Sequence, residues 1–205
     1  MTNKSITYTD RFIPYSREEV LEKVKVKMSN RRFGHVLRVE ETAIELAKKY
    51  GVSQEKASIA ALLHDYAKER PDDESRDIII SENMDLELLQ FGNNIWHGPV
   101  GAVLVRKECR VEEEEILSAI RHHTIGSPTM SPLEKIIFIA DYIEPGRHFS
   151  GVEEARKLAN ESLEKAVPYS IRHTLLHLLE KEQLIYPRAV EVYNAWIPQK
   201  QEENE

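Results

Sequence analysis

A chain of 205 residues that is 41% hydrophobic is long enough to bury one sizeable core, and its formal charge of -7 argues against a general nucleic-acid or anionic-membrane binder, whose partners need a basic surface. An anionic substrate would therefore require locally clustered basic groups. Cys109 is the only cysteine, which excludes an intrachain disulfide and a thiolate-rich metal site. With no apolar run near the roughly 20 residues of a membrane span and no signal-peptide pattern over Met1 to Asp10, the expected compartment is the cytoplasm.

Residues 1–15 read as an N-terminal extension. Ser16 with Glu19 three residues on is a capping-box signature that opens a helix toward Met28, and an apolar pattern through Val36, Val39, Ala43, Ile44 and Ala47 predicts a second helix ending at Gly51. Ser53 opens a third, whose run from Ala57 to Leu63 is apolar on most sides and hence buried, and which ends in His64 and Asp65. Pro71 interrupts, and short surface helices are expected over 72–89. Gly98-Pro99 predicts a helix beginning at Val100, with His97 just outside it. Two further helices are expected from Glu112 to His123 and from Pro132 to Ile143, separated by the turn Gly126-Ser127-Pro128 and followed by the loop Pro145-Gly146-Arg147. Helices over 152–165 and 169–181 complete the count. No segment alternates as a strand, so the expected fold class is all-α, with 16–197 as one domain and 198–205 as a polar, disordered tail.

Eight histidines are present, and several stand beside carboxylates at the ends of apolar helices, where an ionised group without a partner is costly and a cation would supply one. On the helix from Ile116, residues Ile116, Leu117, Ala119 and Ile120 define one face; His123 lies close to it and His122 points away. Asp65, directly after His64, has two oxygens and is able to bridge two cations. Asp141, late in the apolar segment Ile136 to Ala140, needs hydrogen bonds or a cation if buried. Any one of these histidines alone reads as a packing residue more readily than as a ligand; the order His, His-Asp, His, His, Asp carries the signal. His173 and His177 are four apart but have no further donor to complete a set, so they and His148 read as structural, and Trp96 and Trp196 as packing groups.

The motifs Arg32-Phe33-Gly34-His35-Val36, His64-Asp65-Tyr66-Ala67-Lys68, His97-Gly98, Arg121-His122-His123-Thr124-Ile125-Gly126 and Asp141-Tyr142-Ile143-Glu144-Pro145 resemble those of HD-domain phosphohydrolases. Among these they most resemble the YqeK-type symmetrical bis(5'-nucleosyl)-tetraphosphatases, and the resemblance runs from Arg32 to Trp196. It implies a helical bundle with a di-iron centre between its helices, held by His35, His64, Asp65, His97, His123 and Asp141, and cleavage of diadenosine tetraphosphate into two ADP. The donor set itself also accepts manganese, cobalt or zinc. Four neutral imidazoles and two carboxylates leave two divalent ions net positive, so such a centre is expected to attract phosphate oxygens and to hold a bridging hydroxide as nucleophile.

Basic side chains must supply the remaining charge. Lys68, three residues after Asp65, is the first candidate and is expected to act with Asp65 in catalysis as well as to bind phosphate; Arg32 and Arg147 come next. Thr124 is a candidate donor to a phosphate oxygen, and Tyr186 a candidate face for the nucleobase. Two other readings stand beside this one: the same metal site acting on a deoxynucleotide, a guanosine alarmone or a cyclic nucleotide, and a metal-retaining sensor that binds a nucleotide without hydrolysing it.

Overall fold

The computed structural model describes residues 6–197, so the tail expected at 198–205 lies outside the described residues. Among the described residues ten helices form around one core: α1 (Arg17–Lys25), α2 (Asn30–Tyr50), α3 (Gln54–Leu63), α4 (Asp72–Ser81), α5 (Asn93–Cys109), α6 (Glu114–His122), α7 (Pro132–Ile143), α8 (Val152–Glu161), α9 (Leu163–Glu180) and α10 (Pro187–Trp196). A short 3-10 turn, Leu86–Gln90, precedes α5. Among the described residues there is no strand, and no helix is long and apolar enough to cross a membrane.

The centre of the bundle is α3, whose residues Ala57 to Leu63 are all buried. It packs on α2, α6 and α7, while α5 lies along α6, and α9 covers α7 with α8 and α10 against it. Helix α2 buries Val36, Val39, Ala43 and Ala47, the 3.6-residue stripe of an amphipathic helix, and stops at Gly51, whose φ of 69° suits a residue without a Cβ. The same stripe buries Glu40. Its carboxylate accepts from Arg17 at 2.6 and 2.7 Å and from Ser58 Oγ at 2.5 Å, so the charge is paired on every side. Tyr8 closes this network through Ser58 at 2.6 Å and Ile13 is 1% exposed, so the described part of the N-terminal extension is packed onto the bundle.

Four sequence expectations are corrected. Helix α1 has the expected capping box at Ser16 and Glu19 but ends at Lys25, short of Met28. Helix α5 begins at Asn93 rather than Val100, so His97 lies inside it and Pro99 is an interior proline. The residue before that proline is glycine, with no Cβ to meet the ring, which lets the helical path continue. The break between α8 and α9 falls at Ser162, and Pro168 sits within the second helix, in its second turn, where few backbone donors are lost. Helix α10 was not expected; Pro187 at its first position is a legitimate start signal.

Gly98 fixes how closely α5 and α6 approach. A Cβ there would lie 2.7 Å from the carbonyl oxygen of Arg121. A Gly98→Ala substitution gains roughly 1 kcal/mol of helix propensity but incurs overpacking of roughly 1–3 kcal/mol against rigid backbone. The net result expected is a lower thermal midpoint, measurable by calorimetry.

Helices α6 and α7 are locked by Glu134, which belongs to the α7 capping box with Ser131 and also accepts from Ser118 Oγ at 3.0 Å and from His122 Nδ1 at 2.6 Å. Burial opposes its charge, yet the His122 contact, the Ser131 amide and Ser118 hold its carboxyl down at about 2. A depressed carboxylate stabilises the fold above its unfolded value of 4.5 and loses that contribution as pH falls toward 2. Urea unfolding should therefore show the wild type well ahead of Glu134→Gln at pH 6, with the gap narrowing at pH 3.

Candidate metal centre

Five helices deliver six side chains to one point. His35 comes from the buried face of α2; His64 caps the C-terminus of α3, with Asp65 next; His97 lies on α5; His123 caps the C-terminus of α6; and Asp141 sits in the last turn of α7. All but Asp141 are buried, and the Asp141 side chain is 22% exposed. His122 points away, to Glu134.

The rings are oriented by their outer nitrogens. Nδ1–H of His64 donates to the Ala61 carbonyl at 2.6 Å, that of His97 to Asn93 at 2.6 Å, and that of His123 to Ile120 at 2.7 Å. A carbonyl only accepts, so each of these rings carries its proton on Nδ1 and turns a bare Nε2 inward. His35 is oriented likewise by the buried carboxylate of Glu144, 3.1 Å from its Nδ1. Glu144 in turn accepts from Arg38 Nε and the Gly146 amide, each at 2.5 Å, and is held at about 2 by these partners against the opposing effect of burial.

Inside the ring of Nε2 atoms the two oxygens of Asp65 divide the work. Oδ2 lies 3.6 Å from His35 Nε2 and 3.4 Å from His64 Nε2, while Oδ1 lies 3.3 Å from His97 Nε2 and 3.8 Å from His123 Nε2. Asp141 Oδ1 joins the first side, 3.0 Å from His35 Nε2. Two donor groups, His35, His64 and Asp141, and His64, Asp65 and His123, each have ligand atoms within 4.8 Å of one another.

The donor set fits a cation. Nε2 of His35 and of His64 is buried without a hydrogen-bond partner, and that of His35 lies 3.0 Å from Asp141 Oδ1. His97 and His123 bring two Nε2 atoms to 2.9 Å although both rings have their proton on the other nitrogen, so lone pair faces lone pair. A positive charge between such groups satisfies both lone pairs at once. Burial, then the neighbouring His97 and His64, pushes His123 down to about 3, leaving it neutral and competent as a ligand.

Basic groups ring this centre. Arg32 Nη1 donates to Asp65 Oδ2 at 2.8 Å, and Arg147 donates to the carboxylate and to the carbonyl of Asp141, at 2.5 and 2.9 Å. Arg156 of α8 holds the loop carrying Glu144 and Arg147 by donating to the Ile143, Glu144 and Arg147 carbonyls. Lys68 reaches Asn94 Oδ1 at 3.0 Å and stands 3.4 Å from His97 Nδ1; burial lowers its pKa. Thr124 follows His123 and has a buried Oγ1 without a partner. Tyr186 does not join the cluster. It is 3% exposed, its hydroxyl is 3.1 Å from Asp85 Oδ2, and its ring meets Phe91 edge-on.

The HD domain family model matches residues 32–146, which span all six of these side chains. The chain belongs to the HD-domain family. Its relatives include the symmetrical bis(5'-nucleosyl)-tetraphosphatase of Bacillus subtilis (strain 168), 48% identical over 89% of this chain and 97% of that one, and its namesake from Staphylococcus aureus (strain NCTC 8325 / PS 47), 37% identical over 86% and 92%. A crystal structure of a predicted HD superfamily hydrolase involved in NAD metabolism from Clostridium acetobutylicum superposes with a TM-score of 0.86 at 38% identity, over 91% of this chain and 99% of that one.

Two members of this HD domain site escaped the sequence reading as functional groups. Glu144 and Arg38 were legible only as neighbours: Glu144 is three residues after Asp141 and Arg38 three after His35, the spacing that places side chains on one helical face. His173 stacks on Tyr169 with ring centroids 4.6 Å apart, and Trp96 donates to the Leu88 carbonyl, so both are packing groups. Removing the charge that orients His35, by Glu144→Gln, should weaken metal binding by roughly 10- to 100-fold with little loss of helicity. Calorimetric metal titration with circular dichroism on the same sample checks both halves.

Proposed function

We propose that the chain hydrolyses diadenosine tetraphosphate symmetrically to two ADP, at two metal ions, most suitably iron, held by His35, His64, Asp65, His97, His123 and Asp141. The observation that carries the reading is the division of Asp65, with Oδ2 turned to His35 and His64 and Oδ1 to His97 and His123, in a chain 48% identical to an enzyme of that activity. Bound there, the ions supply a water of lowered pKa and neutralise charge on phosphate oxygens.

The protein's own groups then position the tetraphosphate. Arg32 and Arg147 each keep guanidinium N–H donors beyond those that hold Asp65 and Asp141, and these bind the non-bridging oxygens of the two inner phosphates. Lys68 adds positive charge beside His97, and the unpartnered Thr124 hydroxyl donates to a phosphate oxygen. Tyr186 contributes as a wall to the nucleoside cleft, since so little of its ring is open. Water adds to one inner phosphorus, the bridging P–O bond between the inner phosphates breaks, and the displaced proton passes to the departing diphosphate. The cytoplasm suits a chain whose one thiol is buried and raised to about 11 by that burial. The acidic surface suits a small nucleotide rather than a nucleic acid or an anionic membrane.

Incubation with diadenosine tetraphosphate, with and without chelator and added iron or manganese, tests this by product chromatography. The expected outcome is two ADP, abolished by chelator; AMP plus ATP would refute symmetrical cleavage, and no turnover with any metal would refute the activity. Asp65→Asn, which alters the shared donor itself, is expected to cost more than the roughly 10- to 100-fold typical of outer-shell changes.

A further inference from the structure

Two kinds of cleft lie beside the cluster, and they share no lining residue. One, of about 470 Å³, is walled by Phe91, Ile95, Ile125, Phe138 and Leu175 and carries Asn93, Asn94 and Thr124 at its polar edge. It lies behind His97 and His123, because the Asn93 carbonyl accepts from the outward Nδ1 of His97, Asn94 accepts from Lys68, and Thr124 follows His123. A smaller cleft of about 230 Å³ lies behind the shared residues Ile95, Thr124, Ile125 and Tyr186. The other kind, of about 360 Å³, meets the centre through His35 and is lined by Arg31, Arg32, Arg38 and Arg147 with Ser29, Glu69, Glu144 and Gly146.

The volumes of the first and last are both within the range of ligand sites, so chemistry separates them. A nucleobase is retained by aromatic or aliphatic surface. The first cleft offers it; the arginine cleft has no aliphatic lining residue, and its one aromatic ring is that of His35, which is turned to Asp65 and Asp141. Four guanidinium groups against two carboxylates instead suit phosphate oxygens. Three of these arginines are fixed by carboxylates, Arg32 by Asp65, Arg38 by Glu144 and Arg147 by Asp141, whereas Arg31 is exposed and makes no ion pair among the described residues. It is the guanidinium left over for a phosphate farther from the centre.

We propose that the centre reads a symmetrical substrate asymmetrically: one nucleoside sits in the apolar cleft, the other half is held by its phosphates alone among Arg31, Arg32, Arg38 and Arg147, and a nucleoside 5'-tetraphosphate with a single base is therefore also a substrate. This rests on the proposed hydrolase activity. With adenosine 5'-tetraphosphate, water adds across the bond between the second and third phosphates, giving ADP and pyrophosphate; the water oxygen enters one product and its proton the other. The terminal phosphate carries more negative charge than the diester it replaces, which the arginine cleft favours.

The metal-loaded enzyme should be given diadenosine tetraphosphate and adenosine 5'-tetraphosphate in parallel, with ADP, ATP, phosphate and pyrophosphate resolved. Turnover of the single-base compound to ADP and pyrophosphate is expected, with kcat/KM within about tenfold of the dinucleotide value. A deficit beyond tenfold while the dinucleotide still gives two ADP would show that the second base is recognised and would overturn the proposal alone; ATP plus phosphate would overturn it as well. If neither compound is cleaved, the hydrolase reading fails and this proposal with it. Arg31→Ala should raise KM for both substrates by about 3- to 10-fold with kcat little changed. An unchanged KM for both would remove the arginine cleft as the seat of the second half.

Discussion

Each imidazole of the cluster gives its Nδ1 proton to an acceptor outside it, and the rest of the site depends on that constraint. Three acceptors are backbone carbonyls and the fourth is Glu144. Because the carbonyls of Ala61 and Ile120 lie three residues before His64 and His123, at helix ends where such oxygens lack intrahelical partners, the same bonds finish α3 and α6 and fix the rings. Cap and ligand orientation are one interaction. The protons thus held outward leave Nε2 lone pairs turned toward one another in a dry interior, a donor arrangement that suits a cation.

The close approach at Gly98 and the burial of α3 serve this arrangement. Without a Cβ at Gly98, α5 can lie against the end of α6, and His97 and His123 meet. Helix α3 is apolar on nearly every side because it is surrounded, and the first polar side chains after its run emerge at the middle of the domain rather than at its surface. The charges there are compensated in shells: Asp65 by Arg32 and the imidazoles, Asp141 by Arg147, Glu144 by Arg38. An acidic protein overall thereby presents a cluster of guanidinium groups beside the donor side chains.

The sequence by itself determined the helical class and several helix starts, and it singled out the six side chains that the structure brings together. Capping at Ser16 and Ser53, the apolar periodicity of α2 and the all-round apolarity of α3 are local properties, readable because propensity and hydrophobic pattern agree at those positions. The phase of α6 likewise separates His123 from His122 without any tertiary information. Local signals misled where packing outweighed them: Pro99 looked like a start but lies inside α5, since Gly98 relieves the strain before it, and α10 lacks a side-chain cap and is held against α9. What only the tertiary structure decided is the pairing across long separations. Glu144 behind His35 is 109 residues away in sequence, Arg32 is 33 from Asp65, and Tyr186 turns its hydroxyl to Asp85, 101 residues distant. The division of Asp65 between two pairs of imidazoles and the contrast between an apolar and a guanidinium cleft are of the same kind. Such relations arise from how helices cross, and crossing geometry is set by side-chain packing over whole helix faces, which no single stretch of sequence contains.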